Sequence, residues 1–278
     1  MKSMKLTALL LAAVTAISMT AVAVPAATDQ VEAIKKAGKI QMTTNAEFEP
    51  FEYKDGDEIV GIDIDLSQAI ADKLGVKLEV SDIAFDSLIP SMNAGKADFI
   101  AAGMTATEDR KKNVDFSDPY FNASQAIIVA KDSDIKTRED LNGKTVGVQQ
   151  GTTGDTYCTN DDGSSDVKVK EVKRYPKGMD AVSDLIAGRL DAVVIDDYPA
   201  EKLAAKNADK VVKLDDALTE EEYAIAMPKG SDLVDVVNGV IKDLKDSGEL
   251  NKIIDKYIGD DTESGASSAV ETAESAAE

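Results

Sequence analysis

The chain has 278 residues, 43% of them hydrophobic and 30% charged, with a formal net charge of -21, one cysteine and no histidine. So strong an acidic excess argues against nucleic acid or anionic lipid as a partner and favours solubility. Without histidine there is no Ser-His-Asp triad, His-based metal site or Cys-His pair, and the single Cys158 cannot close an internal disulfide.

Lys2 and Lys5 precede an apolar run from Leu6 to Met19, and small residues follow from Ala21 to Ala27. A basic head, a short apolar stretch and an alanine-rich exit predict a secretory signal peptide over 1–26, with an exit after Ala23 or Ala26. The run is short for a bilayer, which takes about 20 apolar residues to span. No cysteine stands near the exit for lipid attachment, so the mature protein is expected free in the periplasm or outside the cell.

Beyond it, short apolar runs alternate with helical patterns. Lys39 to Thr43 reads as a strand, Asp63 to Leu74 as a helix ended by Gly75, and Leu78 to Val80 as a second strand. Asp86 is expected to cap a helix through Met92 that stops at Asn93-Ala94-Gly95, and Asp98 to Ala101 is a third strand. This βαβαβ start predicts a parallel sheet with helices on both faces. The pattern restarts with strands at Ala126 to Ala130 and Thr145 to Val148, a helix at Met179 to Ala187 and a strand at Ala192 to Ile195. A helix from Pro199 to Lys206, a strand from Val211 to Leu214, a strand from Ala224 to Met227 and helices at 233–247 and 250–258 complete it. After Gly259 the composition turns to Ser, Ala and Glu, which predicts a disordered acidic tail over 260–278.

Two α/β units in series suggest two lobes, and sheets of this kind bind ligands outside the carboxyl ends of their strands. The loops at 43–53, 82–86, 102–110, 149–154 and 195–199 are therefore the place to look for a site. They carry Thr44-Asn45-Ala46-Glu47-Phe48-Glu49-Pro50-Phe51-Glu52-Tyr53, Gly61-Ile62-Asp63-Ile64-Asp65-Leu66 just beyond, and Ala102 through Arg110. Val114-Asp115-Phe116-Ser117-Asp118-Pro119-Tyr120, Gln149-Gln150-Gly151-Thr152-Thr153-Gly154 and Asp196-Asp197 complete the set. In this order the six pieces resemble the solute-binding proteins of polar amino acid ABC importers, the glutamine, histidine and arginine binders. The resemblance runs from about Lys35 to Ile258.

It implies an α/β fold of the periplasmic-binding-protein type II, two α/β lobes joined by a two-strand hinge. It places the crossings near 120–124 and 219–223, giving lobe 1 as 29–122 plus 223–259 and lobe 2 as 123–222. It implies that Arg110 grips a ligand α-carboxylate with Thr105 from the same lobe and Thr153 from the other. Asp197 is then the acid that takes the α-ammonium, Gly103 supplies a carbonyl to it, and Phe48 and Phe85 are aromatic walls. The chemistry agrees with those roles: a guanidinium holds a carboxylate through two parallel bonds, and a zwitterion taken from water needs both charges answered. The helix start at Gly151 to Gly154 offers free N–H groups to an anion.

Position 45 is Asn where glutamine and basic-residue binders often carry Asp. Asn45 and Gln149 suit an amide ligand, whereas Glu47 and Asp196 attract a cation, so Arg or Lys against Gln or cystine stays open. Gln149 reads equally as pocket lining or as the end of its strand, and Asp196 as a helix cap or a pocket acid. Glu220 to Glu222 read as exposed charge near a hinge and Cys158 as a thiol in a loop. No cofactor or metal is expected, and the expected partner besides the amino acid is a membrane permease, with the chain monomeric. Two other functions use the same fold: a periplasmic dehydratase of the prephenate or arogenate type, with Asp196 or Glu47 as general acid, and a ligand sensor for a chemoreceptor.

Overall fold

The structure is a computed structural model that describes residues 29–161, 163 and 165–259. The expected signal peptide over 1–26 and acidic tail over 260–278 lie outside the described residues.

The first half begins with α1 (Gln30–Ala37), β1 (Lys39–Thr44), the short meander β2 (Glu47–Phe48), β3 (Glu52–Asp55) and β4 (Glu58–Val60), and α2 (Ile62–Leu74). β5 (Lys77–Asp82), α3 (Leu88–Asn93), β6 (Phe99–Ile100), α4 (Glu108–Lys111) and β7 (Val114–Phe116) follow. β8 (Phe121–Ala123) leads to β9 (Gln125–Ala130), β10 (Thr145–Gln149), α5 (Thr153–Thr159), β11 (Glu171–Tyr175), α6 (Gly178–Ile186), β12 (Ala192–Asp196), α7 (Asp197–Lys206) and β13 (Val211–Lys213). β14 (Glu221–Tyr223) returns the chain to β15 (Ala226–Pro228), α8 (Leu233–Asp246) and α9 (Glu249–Ile258).

Two five-stranded sheets result, in the orders β5-β1-β6-β15-β7 and β11-β10-β12-β9-β13. Both share one pattern. Three neighbouring strands are parallel, the fourth is antiparallel to them, and the edge strand is antiparallel to the fourth. The odd strand in each sheet, β15 or β9, is the one that enters directly from β14 or β8. The three strands of the βαβαβ start, β5, β1 and β6, are parallel as expected; β15 makes the sheet mixed, because a chain arriving from the opposite lobe meets it running the other way. β8 and β14 pair antiparallel as a separate two-stranded ribbon, with Phe121 opposite Tyr223 and Ala123 opposite Glu221.

The strands read as unbroken apolar runs because helices cover both faces. Ile127, Ile128 and Val129 in β9 and Ala192 to Ile195 in β12 are all buried. One core joins Ile40, Met42, Leu66, Phe99 and Ile225 under α2, α8 and α9, and another packs Ile127, Val146, Val148 and Val194 in the second sheet. Burying each such side chain contributes about 1.5–3 kcal/mol. Where α2 begins, Gly61 is obligatory. Its φ is 136°, and a Cβ there would lie 2.1 Å from the carbonyl oxygen of Phe51. At the ribbon, Phe51 meets Phe121 edge-on with centroids 4.9 Å apart and Tyr223 at 5.0 Å, so the first-half loop is clamped to both crossing strands.

Three local expectations are corrected. Asp86 does not cap a helix with its side chain; it lies in a 3-10 turn, Phe85–Ser87, that runs into α3. Cys158 lies in α5 rather than a loop, because Thr152 caps that helix by accepting from the Asp155 N–H. Glu221 is buried, whereas Glu220 and Glu222 are exposed.

Candidate functional site

The carboxyl ends of β1, β6, β10 and β12 face one another between the two sheets, and the loops that leave them line a cavity. Asn45, Phe48, Glu52, Phe85, Gly103, Thr105, Arg110, Gln149, Thr152, Thr153 and Asp196 line it. Eight of the nine residues singled out from sequence are therefore brought together.

The ninth is not. Asp197 opens α7, lines a different hollow with Tyr198 and Asn122, and forms an ion pair with Lys213. Asp196 holds the place expected of it. It is the last residue of β12 and 4% exposed, and its Oδ1 accepts from the Tyr223 hydroxyl at 2.5 Å. The strand ends at Asp196 and the helix begins at Asp197, so one step along the chain moves a carboxylate out of the cavity. The rule that ligands sit beyond strand ends points to Asp196, since Asp197 already belongs to the helix.

Arg110 comes from α4, whose N-cap Thr107 accepts from the Arg110 N–H. Its guanidinium donates to the Thr105 carbonyl at 2.8 Å and to the Gly151 carbonyl of the opposite lobe at 3.0 Å, and lies 5.2 Å from the centre of the Phe85 ring. Burial draws its pKa down, and the charges of Glu221 and Asp196 push it back up. Thr105 and Thr153 both donate to Glu221, at 2.6 and 2.8 Å. Gln149 ends β10 and also lines the cavity. Its amide donates across the cleft to Asn45 Oδ1 at 2.8 Å, while Asn45 donates to the Ile83 carbonyl at 2.9 Å.

Behind this ring lies a layer of buried acids. Gly103 N–H and the Tyr120 hydroxyl donate to Asp63 at 2.8 and 2.6 Å. Burial nevertheless raises Asp63 to about 6, those two bonds opposing the shift. Glu52 is fully buried, and neither of its carboxyl oxygens has a hydrogen-bond partner among the described residues. Burial first, and the charges of Asp63 and Asp196 after it, hold its pKa well above the ordinary carboxylate range. Asp196 is raised too, by burial and by Glu221.

Sequence reasoning missed Glu52 and Thr152 as lining residues. Glu52 opens β3 opposite Phe48 on β2, and the signal that could have found it is its nearness in sequence to that wall. Across the cleft mouth Lys177 pairs with Glu47 at 2.5 Å, Lys206 with Glu49, and Gln150 donates to Asp86 at 2.8 Å. Among the described residues no helix is long and apolar enough to cross a membrane, and no cluster of acids and cysteine is arranged to hold a metal ion.

The family model for bacterial extracellular solute-binding proteins, family 3, matches residues 40–260. The arginine-binding extracellular protein ArtP of Bacillus subtilis is 40% identical over 221 residues, covering 79% of this chain and 86% of its own. Among solved structures, holo ArgBP from T. maritima is 46% identical with a TM-score of 0.72, covering 82% of this chain and 99% of that one. The ancestral amino acid-binding protein AncCDT-1, a precursor of cyclohexadienyl dehydratase, is 36% identical with a TM-score of 0.74, over 82% and 99%.

Proposed function

The chain belongs to the bacterial extracellular solute-binding proteins of family 3, and from that premise we propose that it is a receptor for a cationic L-amino acid, arginine foremost, which it delivers to a membrane importer. The observation that carries the choice of ligand is a surplus of carboxyl groups over cations. Glu52 and Asp196 line the buried cavity and Glu221 stands immediately behind it, against the single guanidinium of Arg110. Without a cation beside them, burial and mutual repulsion hold the Glu52 and Asp196 carboxyls toward their protonated forms. A cationic side chain entering the cavity favours their ionised forms and pairs with them, which a neutral amide side chain cannot do. The names of ArtP and of the T. maritima ArgBP, both arginine binders, point the same way.

In this reading Arg110 takes the α-carboxylate together with Thr105 and Thr153. Asp196 takes the α-ammonium in place of Asp197, with the Gly103 carbonyl beside it. Phe48 and Phe85 sandwich the aliphatic stem, and Asn45, Gln149 and Glu52 are left for the side-chain end. Residues 29–122 with 223–259 move as one lobe and 123–222 as the other, turning about β8 and β14. The ligand shifts that equilibrium by its differential affinity for the closed form. The protein acts as an exported monomer that binds its ligand without converting it.

Calorimetric titration with arginine, lysine, histidine, glutamine and cystine tests the reading. Arginine is expected to bind at least about tenfold more tightly than glutamine. A preference for glutamine or cystine, or heat from none of the five, overturns it. Incubation with prephenate or arogenate is expected to leave both unchanged.

A further inference from the structure

Glu221 has no part in the family resemblance and does not line the cavity, yet it holds two residues that do. It lies on β14, one of the two strands that cross between the sheets, and its side chain is buried. Its Oε2 accepts from Thr105 Oγ1 at 2.6 Å and from Thr153 Oγ1 at 2.8 Å, while its Oε1 accepts from Thr219 Oγ1 at 2.7 Å. Thr105 lies in the loop after β6 of the first sheet, and Thr153 opens α5 on the second. One carboxylate oxygen therefore ties a loop of one lobe to a helix of the other, from a position on the crossing ribbon itself.

We propose that Glu221 is a positioning residue that latches the two lobes closed from within the hinge, by drawing Thr105 and Thr153 onto one oxygen. Both ends of the tie are the protein's own side chains, so it forms whether or not an amino acid is bound. Rotation of one lobe about β8 and β14 lets Glu221 follow only one of its two threonines. Opening thus gives up at least one charge-assisted hydrogen bond and begins to wet a buried carboxylate. A second consequence concerns the donors. Each threonine hydroxyl has a single proton, and both protons point at Glu221. Toward a bound amino acid the threonines then offer their backbone N–H groups, and the α-carboxylate relies on Arg110 for its side-chain bonds. This second consequence rests on the receptor reading; the latch does not.

The test is a distance measurement between spin labels, one on each lobe, in the full mature chain carrying Cys158→Ser, with and without arginine. Without amino acid, the unsubstituted hinge is expected to show a substantial short-distance population, and Glu221→Ala to move it to longer distance. Saturating arginine is expected to restore the short distance, with an arginine affinity lowered about tenfold because the binding-competent form is rarer. Glu221→Gln keeps the volume but supplies one acceptor oxygen and two donor hydrogens, so it is expected to fall between. If Glu221→Ala does not fold, Glu221→Gln alone decides. An amino-acid-free distance distribution that is the same in the substituted and unsubstituted proteins overturns the latch. An unsubstituted protein found wholly open overturns it as well. Failure of arginine to bind the unsubstituted protein sinks the receptor reading instead, and leaves the amino-acid-free distances to judge Glu221.

Discussion

The Tyr223 hydroxyl donates to Asp196 Oδ1 at 2.5 Å, so the second crossing strand holds the acid that ends β12. Glu221 and Tyr223 are two places apart on β14 and share one face of it. Both therefore reach the cavity side of the ribbon, one toward the threonines and the other toward the acid. The hinge is built into the site.

Asp196 and Asp197 give the sharpest test of which acid meets the ligand ammonium. Asp196→Asn removes a buried carboxyl that a ligand ammonium in the cavity would hold ionised, whereas Asp197→Asn removes one already paired with Lys213. Truncating one partner of a desolvated charge pair typically costs about 2–5 kcal/mol. By calorimetry, Asp196→Asn is expected to lose arginine affinity on that scale and Asp197→Asn to stay within about threefold of the parent, a surface-pair effect. The reverse order would return the role to Asp197.

Arg110 separates charge from geometry. Its guanidinium spans the Thr105 and Gly151 carbonyls with two different nitrogens. Arg110→Ala is expected to cost about 2–5 kcal/mol of binding. Arg110→Lys is expected to recover only part of that loss, because an ammonium cannot reproduce the planar fork. Near-parental affinity of Arg110→Ala in the same titration sinks the carboxylate role.

How much of this was legible before any coordinates follows from the range of each signal. Period and punctuation located β1, α2, β10, α6 and β12 within one or two residues, since apolar runs and glycine stops are local. They did not locate the meander of β2 to β4 or the two-stranded ribbon. Those strands are two to four residues long, too short for a period to show. The family resemblance places the ammonium-binding acid at Asp197, a single position past the end of β12. Sequence pattern places a strand-to-helix junction no better than that, and the structure ends β12 at Asp196 and opens α7 at Asp197. Glu221 read as exposed because it sits between two other glutamates. Its burial comes from three threonine hydroxyls, two of them 116 and 68 residues away, and no local pattern carries such a partnership.

Gly103 and Gly95 form a matched pair for separating crowding from backbone strain. Both have positive φ, 50° and 73°. A Cβ on Gly103 would lie 2.6 Å from Phe48 Cε1, while one on Gly95 would meet nothing within 4 Å. Gly95→Ala is expected to lose about 1 kcal/mol to left-handed strain and to keep its arginine affinity. Gly103→Ala carries the same strain and also displaces an aromatic wall, so it is expected to lose about 1–3 kcal/mol more in a urea melt. Its arginine affinity is expected to fall as well. Equal affinities for the two variants would mean that Phe48 does not touch the ligand.

The buried acids predict a stability that changes with pH in a definite direction. Asp63 has an ordinary value of 3.8 and sits at about 6 in the folded chain, through burial. Between those values the native state keeps a proton that the unfolded chain has released. Stability from this group is therefore complete below about pH 4, falls as pH rises, and is gone above about pH 6. A shift of two units is worth on the order of 3 kcal/mol. Glu52 and Asp196 are raised by burial too and act in the same sense. Surface acids held low by their partners, such as Asp115 beside Lys229 and Asp184 beside Arg189, act in the opposite one. The contribution of Asp63 is consequently read as a difference. Asp63→Asn cannot titrate, and its amide oxygen can still accept from the Gly103 N–H. In urea melts from pH 4 to pH 7, the variant is expected to gain on the parent by on the order of 3 kcal/mol as pH rises. A gap between the two proteins that does not change across that range would show that Asp63 is ionised throughout and that its burial is compensated in another way.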